Sequence, residues 1–141
     1  MTAMSRTRWE AYLAGDFSIP ASDTLGFEHR ATDDPNEVSF TWVVPTELCN
    51  SAGNLQGGIL AAFADAVLGG LCATQIPDDK YPALAEMKIS FLRPAPAGTR
   101  ITGTGRLLKA GARLMFAEVE VTDDQGRLIA KVSGTELQAS L

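Results

Sequence analysis

Residues 55–75 place the strongest limit on how this chain can fold. The segment is apolar on nearly every helical face, and Asp65 is the only charged residue between Glu47 and Asp78. Such a pattern predicts a helix buried in the core. A carboxylate on a buried helix costs free energy unless it is paired, protonated or used in chemistry. Asp65 is therefore the first candidate for a functional residue. The alternative is a structural aspartate that accepts hydrogen bonds from neighbouring backbone N–H groups.

Composition sets the class of protein. The chain has 141 residues, of which 45% are hydrophobic and 21% charged, as expected for one globular domain. A formal net charge of -5 and the lack of any Lys/Arg cluster argue against a nucleic-acid-binding surface. Residues 55–74 approach the length of a membrane span, but four glycines, Gln56 and Asp65 make them too polar for one. We therefore expect neither nucleic acid nor a membrane as a partner.

The N-terminus and the cysteines indicate a cytoplasmic protein. The first six residues lack the apolar run of a secretory signal. Cys49 and Cys72 fit no metal-binding or redox spacing, so both are expected to be reduced thiols with packing roles. No metal or cofactor is predicted.

Alternation and turn signals divide the rest of the chain into short elements. Residues from Ser5 to Phe17 are predicted to form a short amphipathic helix, and a weak strand is expected from Leu25 to Thr32. Period-two alternation then predicts a half-buried strand over 37–44 and four further strands after the long helix. The alternating residues of these four strands lie within 87–91, 101–107, 115–122 and 128–133.

This order of elements predicts an α+β fold. An antiparallel sheet of about six strands has one apolar face to bury, and the long helix is the element available to cover it. We expect a sheet wrapped around a long central helix. Residues 1–24 would form an N-terminal helix and lead-in segment, and residues 25–141 the main domain.

Three residues near the long helix have the spacing of a known motif. Asn50 precedes Gly57 by seven residues, and Asp65 follows Gly57 by eight. With this element order, the chain from Leu25 to Leu137 resembles the hotdog-fold thioesterases, in particular the branch typified by the phenylacetic-acid-pathway acyl-CoA thioesterase. The resemblance implies hydrolysis of an acyl-CoA thioester to a carboxylic acid and coenzyme A. It implies Asp65 as nucleophile or general base, the Gly57 N–H as the donor to the thioester carbonyl, and Asn50 as the side chain that orients water.

The same chemistry is plausible from the residue types alone. A carboxylate can attack a carbonyl or deprotonate water. A helix-start N–H can stabilise the oxyanion that develops on the carbonyl oxygen. The second glycine, Gly58, leaves another N–H uncovered and is expected to contact the substrate.

Two positions depart from the family's pattern. Gln56 replaces the histidine that usually precedes the two glycines. It is counted among the candidate catalytic residues because it can form hydrogen bonds, but it cannot take up a proton. Relatives often carry Ser or Thr near the reaction centre, at a strand position that corresponds to Leu84 or Ala85 here. A slower reaction or a different substrate preference is expected.

The spacing of the motif also bears on assembly. Eight helical residues rise about 12 Å, whereas reacting groups must lie within about 3–3.5 Å. Gly57 and Asp65 of one chain therefore cannot serve the same carbonyl carbon. A shared site requires a second, antiparallel chain, so a homodimer is the minimum assembly, as in the family that the chain resembles, and a tetramer is left open.

A coenzyme A substrate needs cationic anchors for its phosphates. The first candidates are Lys109, Gly111 and Arg113 at a predicted hairpin corner, where the glycine would let the backbone approach a ligand. Arg93 is the next candidate. The alternative is that these charges only keep the surface soluble. His29, the lone histidine, lies on an early strand and is expected to be a packing or surface residue.

Two other functions stay open at this point. A non-catalytic acyl-CoA-binding module is one, because Gln56 stands where relatives carry histidine. A hotdog dehydratase is the other, although it would need a histidine in the site and His29 is the only one. The acyl group is not identified by the sequence, which favours a medium-chain or aryl group only weakly.

Overall fold

A computed structural model describes residues 10–30 and 32–140 of the chain. Within them, one face of a six-stranded antiparallel sheet packs against one long helix, which confirms the predicted α+β fold. None of the helices in the described residues is long and apolar enough to cross a membrane. The elements are a helical turn at residues 10–13, α1 (Pro20–Leu25), β1 (Glu28–Arg30), β2 (Glu37–Val43), a 3-10 helix (Thr46–Leu48), α2 (Gly57–Ala73), β3 (Lys80–Phe91), β4 (Arg100–Ala110), β5 (Leu114–Thr122) and β6 (Leu128–Ser140).

The sheet order leaves a long strand at one edge. The strands follow one another as β1-β2-β4-β5-β6-β3, and every neighbouring pair is antiparallel. The chain crosses from β2 through α2 to β3, which pairs with β6 alone among the strands of the described residues. Because β3 is twelve residues long, it offers an extended edge of backbone donors and acceptors.

Glycines on β4 and β6 let α2 approach the sheet closely. A Cβ atom at Gly103 would lie 2.9 Å from side-chain atoms of both Phe63 and Val67, and one at Gly134 would lie 2.6 Å from Leu68 Cδ1. Carbon atoms in contact normally lie about 3.5–4.0 Å apart. A larger residue at these positions would therefore push the helix away from the sheet. The glycines therefore set the distance between α2 and the sheet, and with it the position of Asp65.

Aromatic contacts tie the N-terminal segment to the core. The Phe27 ring lies 4.8 Å from that of Trp42 and 5.2 Å from that of Phe63, both edge-on. The Trp42 Nε1–H donates a 2.9 Å hydrogen bond to the Leu25 carbonyl. This anchoring holds the segment that precedes β1 beside the middle of α2.

The structure corrects the predictions for the N-terminal segment. Residues 20–25 form the helix α1, so Leu25 ends a helix instead of beginning the predicted strand. Pro20 suits the first helical position, and Gly26, at φ 83°, ends the helix in the left-handed conformation. The first strand is therefore only Glu28–Arg30. The predicted helix from Ser5 to Phe17 lies partly outside the described residues, and within them it is helical only at 10–13.

β3 begins earlier than the alternation predicts. It starts at Lys80, several residues before Met87, and continues through Pro82. Proline is tolerated because β3 is an edge strand. An irregularity between Leu84 and Glu86 then shifts the pairing with β6, which interrupts the period-two pattern.

The prediction that α2 is buried on all sides is wrong. Its sheet-facing residues are buried, among them Phe63, Val67 and Leu71, but Asp65 and Gly58 are exposed on the other side. Alanine and glycine dominate that other side, and because neither is polar, the sequence pattern is apolar on nearly every face of the helix. The outward side of α2 instead forms the wall of a cavity.

Candidate active site

The loop before α2 leaves the first turn of the helix open. The Leu55 N–H donates to the Ala95 carbonyl at 2.8 Å and the Gln56 N–H donates to the Leu48 carbonyl at 3.1 Å. No side chain caps the helix, and the N–H groups of Gly57 and Gly58 have no acceptor among the described residues. A helix N-terminus with free N–H groups attracts negative charge. This is the geometry expected of an oxyanion donor.

Asn50 shapes the same loop with its side chain. Its Oδ1 accepts hydrogen bonds from the N–H groups of Ala52 at 3.0 Å and Asn54 at 3.1 Å, and Gly53 completes the turn at φ 77°. Because the amide oxygen is occupied, only the Nδ2 group remains to act on a ligand, and it can only donate. The Nδ2 group of Asn50 can therefore donate a hydrogen bond to the oxygen of a water molecule or to a carbonyl oxygen.

Gly57 and Asn50 share one cavity, which we call the Gly57 cavity. It has a volume of about 370 Å³, and Arg93 and Phe91 also line it. The Phe91 ring covers Gly57, since a Cβ atom there would lie 3.4 Å from the ring. Arg93 is held near this position, where its Nη1 donates to the Leu128 carbonyl at 3.2 Å.

Asp65 lies on a different cavity, which we call the Asp65 cavity. Its volume is about 340 Å³, and its walls are mostly apolar. The outward side of α2 forms one wall through Ala62, Ala66 and Gly69, and the opposite wall comes from the N-terminal segment and from Tyr81 of β3. Asp65 stays partly exposed, but the apolar groups around it remove part of its contact with water and so raise its pKa.

The two cavities do not share a lining residue. Gly57 and Asn50 line only the first, and Asp65 lines only the second. Within one chain, the structure thus brings Asn50 and Gly57 together and keeps Asp65 apart from them. This separation agrees with the rise of α2 between Gly57 and Asp65.

The positions that depart from the family's pattern line neither of these cavities. Gln56 is exposed, and it lines neither cavity. Leu84 pairs with Glu136 across the strands, and Ala85 forms the irregularity in β3. None of these three side chains offers a proton-carrying group to Asp65.

The predicted coenzyme A anchors divide between the two ends of the sheet. Arg93 is at the Gly57 end. Lys109, Gly111 and Arg113 lie at the turn between β4 and β5, at the other end, and line neither cavity. The Gly111 N–H donates to the Leu114 carbonyl at 2.8 Å, so this backbone group is already used.

The site region also contains a buried glutamate that the sequence pattern did not predict. Glu136 on β6 is 1% exposed, and neither carboxylate oxygen has a hydrogen-bond partner in the described part of the chain. Burial, and secondarily the charge of Asp65, raise the pKa of Glu136 to about 7. The signal was present in the sequence: alternation from Val132 through Gly134 reaches Glu136 on the buried face.

The remaining polar candidates have packing roles. The His29 ring lies 4.1 Å from that of Tyr12 and 5.7 Å from that of Phe40, and burial lowers the pKa of His29. Cys49 and Cys72 are both free thiols, as predicted. No group of three potential metal ligands occurs within residues 10–30 and 32–140.

Comparison with known proteins identifies the family. The model of the thioesterase superfamily matches residues 52–130, which include Gly57 and Asp65. Acyl-coenzyme A thioesterase 13 of Homo sapiens is 29% identical over 133 residues, which cover 93% of this chain and 94% of the relative. The chain therefore belongs to the thioesterase superfamily, and the predicted class, a thioester hydrolase, is confirmed.

Solved structures support the same assignment. The phenylacetic acid degradation-related protein of Ralstonia eutropha JMP134 is 30% identical, with a TM-score of 0.85 over 92% of this chain and 98% of that protein. The PaaI protein of the Escherichia coli phenylacetic acid degradation operon superposes with a TM-score of 0.84 over 98% of this chain and 99% of that protein, at 21% identity. The predicted resemblance to this branch of hotdog thioesterases is confirmed.

Proposed function

We propose that this protein hydrolyses an acyl-CoA thioester to a carboxylic acid and coenzyme A. The observation that carries the proposal is the pairing of uncapped glycine N–H groups at the start of α2 with a lone carboxylate in an apolar cavity eight residues further on. The first is suited to bind an oxyanion and the second to activate water or attack the carbonyl. The names of the thioesterase relatives support the acyl-CoA substrate.

The active site is completed by a second copy of the chain. Gly57 and Asp65 lie about 12 Å apart along α2, so a thioester carbonyl within reach of both must lie between two chains. Two features favour such an assembly. The β3 edge is long and offers backbone pairing to another strand, and the outward side of α2 carries small residues that allow close approach. A twofold arrangement then makes two equivalent sites.

Each residue has a defined task in this site. The Gly57 N–H of one chain stabilises the oxyanion, and Asp65 of the other either attacks the carbonyl carbon or removes a proton from the attacking water. The free Nδ2 of Asn50 donates to the oxygen of that water. The raised pKa of Asp65 brings its basicity closer to the operating pH.

Each of the two cavities binds a different part of the substrate. The Asp65 cavity, with its apolar walls and a volume of about 340 Å³, accommodates the acyl group. Its size and the rings of Tyr12 and Phe27 favour an aryl or medium-chain acyl group over acetyl. The Gly57 cavity has polar side chains from Asn50 and Arg93 and receives the coenzyme A end of the thioester.

Phosphate contacts come from exposed cations near the mouth of the shared site. Arg93 is the first candidate because it already lines the Gly57 cavity. Lys109 and Arg113 are exposed at the far end of the sheet. An antiparallel partner would bring them towards the Gly57 cavity of the other chain. Gly111, which has no side chain, would let the backbone of that turn approach the ligand.

The test is the variant Asp65→Asn, assayed by release of free thiol from a panel of acyl-CoAs. Loss of the carboxylate should lower kcat by about 10²–10⁴ while the oligomer stays folded. Asp124→Asn, in the exposed turn between β5 and β6, is the matched control and should keep full activity. Undiminished turnover by Asp65→Asn would overturn the assignment.

A non-catalytic acyl-CoA-binding module is the second candidate. The observation that favours it is Gln56, which cannot carry a proton. Wild-type protein that binds acyl-CoA tightly, yet releases no thiol from any member of the panel, would support the module instead of the enzyme.

A further inference from the structure

The Phe91 ring lies against the first turn of α2. A Cβ atom at Gly57 would be 3.4 Å from Phe91 Cζ and 3.5 Å from Phe91 Cε1, so the outer edge of the ring contacts this glycine. Gly57 also carries one of the N–H groups that have no acceptor among the described residues. A ligand that accepts a hydrogen bond from this N–H therefore lies beside an aromatic ring.

The end of β3 holds the ring in this place. Ile89, on the same face of β3, packs against the core, and Phe91 is the next residue of that alternation. The N–H groups of Leu92 and Arg93 then both donate to the Ile129 carbonyl of β6, at 2.8 and 3.1 Å. The backbone on both sides of Phe91 is thus fixed, whereas Phe91 itself is 55% exposed and open to a ligand.

The Gly57 cavity has polar and apolar groups in its lining. Asn50 and Arg93 supply the polar groups, and Phe91 and Leu92 supply apolar ones. The coenzyme A arm has the same mixed character. A sulfur and two methylene groups follow the thioester carbonyl, and the first amide comes only after them. The amides and phosphates suit the polar groups of the cavity, and the sulfur and methylene groups suit its apolar ones.

The position of the carbonyl oxygen fixes that of the sulfur. An oxyanion donor lies about 2.7–3.1 Å from the oxygen that it stabilises. The sulfur of a thioester is bonded to the carbon that carries this oxygen, so it must also lie close to Gly57. In the proposed arrangement it leads into the Gly57 cavity. Phe91 is the one aromatic residue in the lining of this cavity, within the part of the chain that the structure describes.

We propose that Phe91 is a specificity-determining residue that contacts the sulfur and the adjoining methylene groups of the substrate, and so favours thioesters over oxygen esters. This inference rests on the proposed thioester hydrolysis. Sulfur is polarisable and forms favourable contacts with aromatic rings, often at the ring edge, and an ester oxygen lacks this contact. Because the contact is present in the bound substrate and in the transition state alike, it should act on KM and not on kcat.

The first test compares Phe91→Ala with wild type in the thiol-release assay. The substrate is an acyl thioester of N-acetylcysteamine, which keeps the sulfur and both methylene groups but has no phosphates. Its KM should rise about tenfold with kcat unchanged, because the ring contacts of the sulfur and of the methylene groups are lost. Phe116→Ala is the matched control and should behave as wild type, since Phe116 is exposed on β5 and lines neither cavity.

The second test replaces the sulfur of the substrate by oxygen. The ester of the same acyl group with N-acetylethanolamine releases no thiol, so its inhibition constant can be measured by competition in the same assay. In Phe91→Ala this constant should rise only about threefold, because the methylene contacts are lost but there is no sulfur contact to lose. An equal rise for both esters would overturn the selectivity, and an unchanged KM for the thioester would overturn the contact itself.

A second variant keeps the proposal testable if Phe91→Ala fails to fold. Phe91→Leu keeps an apolar side chain but has no ring, so it should raise the thioester KM about threefold and leave the inhibition constant of the oxygen ester unchanged. Sedimentation should show the wild-type assembly for both variants. Loss of that assembly would overturn the proposal, because the ring would then belong to the contact between subunits. Wild-type protein that releases no thiol from any thioester would instead refute the proposed function.

Discussion

Removing the charge of Glu136 should make the protein more stable, by an amount that depends on pH. The group is 1% exposed, and burial together with the charge of Asp65 raises its pKa from 4.5 to about 7. Between these two pH values the folded state holds a proton that the unfolded chain has lost, so the free energy of unfolding decreases as the pH rises. The destabilisation is absent below the lower value and complete above the upper one.

The size of the effect follows from the two pKa values. Each pKa unit corresponds to about 1.36 kcal/mol, so ionised Glu136 destabilises the fold by about 3 kcal/mol at pH 8. Glu136→Gln has nearly the same shape and cannot ionise. We expect it to unfold with a free energy about 3 kcal/mol higher than wild type at pH 8, and less than about 1 kcal/mol higher at pH 5.

Urea titrations at both pH values, at one protein concentration, measure this difference. Glu118→Gln should show no such gain, because its carboxylate is only partly buried and faces Lys131. Equal stability of Glu136→Gln and wild type at pH 8 would refute the inference that Glu136 is a buried, unpartnered carboxyl.

Three further predictions concern glycines. Gly57→Pro removes the proposed oxyanion donor at a helix position that tolerates proline, so it should lower kcat by about 10²–10³, whereas Gly57→Ala keeps the N–H and should keep most activity in the thiol-release assay. Gly103→Ala places a Cβ atom 2.9 Å from Val67 and Phe63, and urea titration should show a loss of about 1–3 kcal/mol. In Gly69→Ala the added Cβ atom meets open space, so the substitution should stabilise α2 by up to about 1 kcal/mol. The same methyl group narrows the Asp65 cavity and should raise KM for bulky acyl groups. A lower stability or an unchanged KM would contradict this account.

Hydrophobic periodicity was sufficient to predict most of the sheet. β2, β4 and β5 have one buried and one open face, so their residues alternate and their positions follow from the sequence. β3 lies at the edge, contains Pro82 and has an irregularity at Ala85, so its first half shows no alternation. The helix α1 has local start and stop signals in Pro20 and Gly26, but it is only six residues long, which is too short for a periodic apolar pattern to indicate a helix.

The candidate site was predictable where it depends on local spacing. Asn50, Gly57 and Asp65 belong to one continuous loop and helix, so their relation can be derived from the chain alone. Glu136 lies on β6, far from Asp65 in the sequence, and it becomes buried only when β6 packs against α2. The predicted strand covers only 128–133, so it stops before the alternation that places Glu136 on the inner face.

Complementation between two inactive variants tests the shared site most directly. Asp65→Ala and Gly57→Pro should each be nearly inactive, since one lacks the carboxylate and the other the oxyanion donor. Co-expression in equal amounts should make half of the dimers mixed, each with one intact and one doubly defective site. Activity should then recover to roughly a quarter of wild type if the sites act independently. Mixed dimers that form but remain as inactive as their parents would contradict the account, because Gly57 and Asp65 would then not complete one site across two chains.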